Sequence, residues 1–180
     1  MKKRKNKSFE KAWKVALSGI LCALCFVIMY VGSLSGITDL IAVVVSAMIV
    51  VVAVIEIGGI YPWLIWTVTG VLCLILLPDK YVALEFILFG GIYPMVKSYL
   101  ERFPTFISFA MKILYFNVAF AGSFAIAKYI FAVNDVGFDL AIVSFILANL
   151  FFILSDVYLS LMISAYMVKL RPRIRRQKKD

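Results

Sequence analysis

Catalysis needs titratable or nucleophilic side chains brought together, and this chain offers few. It contains no histidine, which removes histidine-dependent proteolysis, haem ligation and most imidazole metal sites at the outset. Its three cysteines, Cys22, Cys25 and Cys73, all lie within apolar runs. The Cys22-x-x-Cys25 spacing is that of a redox pair, but an apolar helix supplies no positive charge to generate the thiolate such chemistry uses. All three read as small, soft packing residues. No G-x-x-x-x-G-K-[ST] phosphate loop occurs. What stands out instead is a set of ionisable groups inside otherwise apolar stretches, Glu56, Glu85, Lys112, Lys128 and Asp156, together with the amides of Asn117 and Asn149.

The elements that must position these groups follow from composition. The chain has 180 residues, 64% of them hydrophobic and 16% charged, with a mean hydropathy of +1.01; soluble domains run near ~45–50% and ~25%. This is the composition of an integral membrane protein. A hydrocarbon core of about 30 Å takes about 20 residues per helix, so a bundle of spans leaves no room for a separate soluble domain. The net charge of +9 is not a nucleic-acid footprint, because seven of the 19 Lys/Arg lie in residues 1–14 and seven more in 169–179. Basic residues that flank an apolar block report topology and favour anionic lipid.

Charges and turn residues divide the chain into six predicted spans, about 12–31, 40–57, 62–77, 81–100, 105–130 and 140–168. A basic segment, 1–11, precedes them and a basic tail, 169–180, follows. Gly32 to Gly36 closes the first span, Gly58-Gly59-Ile60-Tyr61-Pro62 breaks the long run after Leu40, and Pro78-Asp79-Lys80 turns into the fourth span. Gly90-Gly91-Ile92-Tyr93-Pro94 predicts a kink within that span. Glu101 to Pro104 and Asn134 to Gly137 supply the next two turns. The basic start also fits a signal peptide, but that reading requires a soluble domain behind it. Basic residues at both ends, with an even number of spans, predict both termini in the cytoplasm of a bacterial plasma membrane.

Ionisable groups within spans are costly, at about 2.5–3.5 kcal/mol on insertion scales. Glu56 lies one turn from a glycine break, where it either snorkels to the interface or pairs with a neighbouring helix. Lys112 and Asp156 are predicted at matching depths, consistent with a buried ion pair or, alternatively, a transport role. Glu85 falls one turn below the outer surface. Asn117 and Lys128, 11 residues apart, share a helix face, as do Asn149 and Asp156, with Ser160 extending the second stripe. Either the two asparagines cross-link antiparallel helices, or Glu85, Asn117, Lys128 and Asn149 line a ligand cavity open to the outside, with Asp39 in the first outer loop as a lid. The aromatic residues Tyr30, Tyr81, Phe89 and Phe124 would stack on a planar ligand or sit at the membrane interface.

On the first span, Ala12-x-x-x-Ala16 and Gly19-x-x-x-Ala23 form a small-residue stripe. Such stripes let helices approach closely, within the bundle or against another subunit. The opening from Lys11 to Leu24, with five further short-looped spans, resembles the substrate-binding S components of energy-coupling factor (ECF) vitamin transporters, and the segment from Leu77 to Pro94 is similar to one in small membrane proteins of the same superfamily. The resemblance implies an all-α bundle of six spans that captures a vitamin-like solute in an outward-facing pocket. It further implies that Ala12, Ala16, Gly19 and Ala23 dock on a T-type transmembrane subunit energised by two separate ATPase subunits. Such a protein is not an enzyme and carries no cofactor or metal. The same layout also resembles the MreD-like scaffolds, which act through protein contacts and carry no solute. A third possibility, an intramembrane enzyme, lacks a nucleophile–base pair or carboxylate metal cluster in the sequence.

Overall fold

Apolar runs of this length leave the helix as the way to satisfy every backbone group away from water. In a computed structural model, the residues described are 2–36, 38–130 and 138–170, with side chains described for 8–36, 38–123, 125–126 and 143–169. Regular structure among them is entirely helical. The order is α1 (Lys2–Ser33), α2 (Asp39–Glu56), α3 (Tyr61–Leu76), α4 (Lys80–Glu85), a π-helical segment (Phe86–Gly91), α5 (Tyr93–Leu100), α6 (Thr105–Ile130), α7 (Phe138–Ala165) and a second π-helical segment (Tyr166–Leu170). Among the described residues, four stretches are long and apolar enough to cross a membrane, Ser8–Ser33, Asp39–Glu56, Thr105–Ser123 and Val143–Lys169, and α3 is a shorter apolar helix. The chain divides into two compact units, Met1–Val133 and Asn134–Asp180.

The breaks fall where the turn chemistry predicts. Between α2 and α3 the backbone passes through Gly58 (φ 62°) and Gly59 (φ 64°), a left-handed conformation that a Cβ disfavours. Pro62 then sits in the first turn of α3, where its missing N–H leaves nothing unpaired. The basic stretch from Lys2 onward is the start of α1. At 1.5 Å per residue this helix is about 48 Å long, against a hydrocarbon thickness of about 30 Å, so its basic turns extend beyond the apolar part. There Lys14 pairs with Glu10 at 3.0 Å. The expected turn over Asn134 to Gly137 and the tail 171–180 lie outside the described residues.

The first unit is built around α1, which packs on α2 and α3. One side of α1 (Leu21, Cys25, Met29) is buried against Val43 and Val50 of α2 and Ile65 and Cys73 of α3. The thiols serve this interface. Cys22 Sγ lies 3.3 Å from Thr69 Oγ1, and the Cys25 thiol donates to the Ser46 carbonyl at 3.7 Å. In place of a simple kink, the stretch from Lys80 to Leu100 carries the π-helical segment between α4 and α5. It approaches its neighbours through glycine: a Cβ at Gly90 would lie 2.9 Å from the Val43 carbonyl oxygen, and one at Gly91 would lie 2.2 Å from Trp66 Cδ1.

Candidate functional site

At one end of the first unit, two turns bring acidic side chains together. Asp39 opens α2, and its Oδ1 is buried with no hydrogen-bond partner among the described residues. Asp79 caps α4, its carboxylate accepting the Tyr81 N–H at 2.8 Å. Glu85 closes α4, half-buried, immediately before the π-helical segment. The charges of Asp39 and Asp79 both act on Glu85 through space. Lys80, the basic residue in the same turn, is directed to the end of α3, where its ammonium donates to the Leu77 carbonyl at 2.7 Å. The arrangement concentrates negative charge and acceptor oxygens at this end, which attracts cations and hydrogen-bond donors. Among the described residues, no group of three His, Cys, Asp or Glu is disposed to hold a metal ion.

Of the expected cavity lining, this unit therefore gathers Asp39 and Glu85 and adds Asp79, which the sequence marks only as a turn residue. Asn117 lies half-buried on α6, and its amide donates to the Ile113 carbonyl one turn back at 3.0 Å. Lys128 is on α6, but its side chain lies outside the described residues, as does that of Phe124. Asn149 and Asp156 belong to the second unit. Asn149 donates to the Phe145 carbonyl at 2.9 Å, and Ser160 Oγ donates to the backbone carbonyl of Asp156 at 2.9 Å. Phe89 packs against Phe116 with ring centroids 5.2 Å apart, and Tyr30 against Phe26 at 6.0 Å.

Lys112 has a partner that depth matching alone did not identify. Its ammonium lies 3.2 Å from Glu101 Oε1, and the same oxygen is 3.0 Å from the Lys97 ammonium. The two lysines are 8% and 1% exposed, whereas Glu101 keeps 44% of its side chain in contact with the surroundings. Glu101 is thus an acidic neighbour of Lys112 that was not named from the sequence, and Asp156, the partner expected for it, belongs to the second unit. A lysine stem is long enough to carry its charge toward the helix end, where the turn after α5 presents Glu101. This cluster was not read from the sequence, though the i,i+4 spacing of Lys97 and Glu101 is a signal for half of it.

The small-residue stripe is on the side of α1 that faces away from α2 and α3. Ala12, Ala16, Gly19 and Ala23 are all exposed, opposite the face that packs on α2 and α3, and a Cβ added at Gly19 would meet no atom within 4 Å. Val15, Ile20 and Val27 beside it are exposed as well. No protein-family model, characterised protein or solved structure matches the chain.

Proposed function

We propose that this chain is the membrane-embedded capture subunit of an ECF-type uptake system. It crosses the bacterial plasma membrane six times, with α3 and the Lys80–Leu100 stretch as the third and fourth spans and both termini in the cytoplasm. It binds a small vitamin-like solute from outside and docks through α1 on a T-type transmembrane subunit, which two ATPase subunits drive. The basic ends hold anionic lipid.

The observation that carries this reading is the exposure of Ala12, Ala16, Gly19 and Ala23. A helix that used these residues to pack on α2 or α3 would bury them, because close backbone approach is what small side chains permit. Here the bulkier Leu21 and Met29 face α2 and α3, and the small residues face away from both. The acidic end formed by Asp39, Asp79 and Glu85 is the candidate mouth for the solute.

Native mass spectrometry of the gently purified protein tests the reading. A retained small molecule, together with co-purifying transmembrane and ATP-binding subunits, supports capture. Co-purifying membrane proteins without any solute or ATP-binding subunit support the MreD-like scaffold instead.

A further inference from the structure

The π-helical segment Phe86–Gly91 lies inside an apolar stretch, and its backbone is held by side chains from two other helices. In a π turn each N–H reaches back five residues rather than four, so the carbonyls ahead of it lose their α-helical partners. Pro94 compounds this, because it has no N–H to offer the Gly90 carbonyl. The Ile92 N–H, which a regular α-helix would direct to Leu88, goes to the Phe89 carbonyl. The Leu88 carbonyl is met instead by the Tyr115 hydroxyl of α6 at 2.5 Å. The Ile87 carbonyl is met by the Trp66 indole N–H of α3 at 2.9 Å. Gly90 and Gly91 let the segment lie close enough to α2 and to the Trp66 ring for this to happen.

We infer that Phe86–Gly91 is a movable π turn whose position is set by the Trp66 and Tyr115 donors, and whose shift along the chain turns Glu85 relative to α5. A π turn is one residue in excess of the α-helical count. When it migrates or anneals, the helix on one side rotates by about 100° and advances by about 1.5 Å relative to the other. Glu85 is the residue directly ahead of the segment, so it receives that rotation. Both donors sit at the ends of rigid aromatic side chains on packed helices, and each can release its carbonyl by a small ring movement without breaking a helical bond. The two neighbouring helices thereby hold a latch on the orientation of a carboxylate at the acidic end. The device is available to a capture subunit and to a scaffold alike, and it does not depend on either reading.

The test uses the full chain in lipid nanodiscs and the variants Trp66→Phe and Tyr115→Phe, which keep the rings and remove the donors. Hydrogen–deuterium exchange of amides in 86–96 should quicken by about 5-fold for each lost donor, the factor expected for one net hydrogen bond. Exchange in α1 and α2 should be unchanged. In a Glu85→Cys background, each donor variant should alter the rate of maleimide labelling at position 85 by a similar factor, with the fully buried thiols of Cys25 and Cys73 left unlabelled as an internal control. Parental exchange over 86–96 in both variants overturns the inference. Faster exchange with unchanged labelling at position 85 overturns it too, since the turn would then be a static bulge, and so does labelling of Cys25 and Cys73 at the same pace, which would mark general loosening.

Discussion

Replacing Glu101 by glutamine removes the negative charge that two lysines share. Because the ammonium groups of Lys97 and Lys112 lie 3.0 and 3.2 Å from the same oxygen, they are no more than about 6 Å from each other, and at an effective dielectric of about 20 their repulsion is about 3 kcal/mol. Removing one partner of a buried ion pair costs about 3–5 kcal/mol. Glu101 is 44% exposed, and both lysines have further interactions, so the expected loss for Glu101→Gln is discounted to about 2–4 kcal/mol. For a chain of this length that is a fall in Tm of about 5–15 °C. A thiol-reactive fluorophore provides the assay, since Cys25 and Cys73 are buried in the native state and become reactive on unfolding. The double variant Glu101→Gln with Lys97→Met removes one of the opposed cations and should recover at least half of the loss. A Glu101→Gln protein melting within about 2 °C of the parent, or a double variant less stable than the single, would refute the shared-carboxylate reasoning.

Gly91→Ala places a Cβ 2.2 Å from Trp66 Cδ1 and should lower stability by about 1–3 kcal/mol through overpacking, whereas Gly19→Ala, with open space around it, should be neutral or stabilising by up to about 1 kcal/mol; the same melting assay ranks the two. Asp79→Ala should destabilise α4 by about 1 kcal/mol through loss of its cap, while Asp79→Asn keeps an acceptor for the Tyr81 N–H, removes a negative charge facing Asp39 and Glu85, and should melt at or above the parent temperature. Cysteines placed at Ser8 and Gln177 should resist a membrane-impermeant maleimide applied to intact cells, and labelling of either one from outside would reverse the proposed topology.

The element boundaries were legible because membrane helices end where charges, glycines and prolines accumulate. The expected 105–130 span coincides with α6, and the Gly58-Gly59 break divides α2 from α3 within a residue of its expected place. Other features arise from contacts that no local pattern encodes. Gly90, Gly91 and Pro94 signalled a disturbed helix, but its π form depends on Trp66, about 20 residues earlier, and on Tyr115, more than 20 later. Depth counting could place Lys112 in the membrane but not its charge, because the flexible stem lets the ammonium sit near Glu101 in the adjoining turn. The acidic end was half visible: Asp39 and Glu85 were singled out, while Asp79 was read only as a turn residue. The small-residue stripe was found by spacing, and its position on the side of α1 away from α2 and α3 needed the packing of Leu21, Cys25 and Met29 to be known.

The most direct measurement is affinity purification of the full chain from its native membranes, in parallel with Gly19→Leu, with the co-purifying proteins identified by mass spectrometry. Close approach of helix backbones is lost when a bulky side chain enters the stripe, while the interior face of α1 is untouched. The parent should bring down one transmembrane subunit and ATP-binding subunits; Gly19→Leu should fold and melt like the parent yet bring down neither. Equal recovery of those subunits by both proteins would contradict docking through α1, and recovery of no ATP-binding subunit by the parent would contradict its role as a capture subunit.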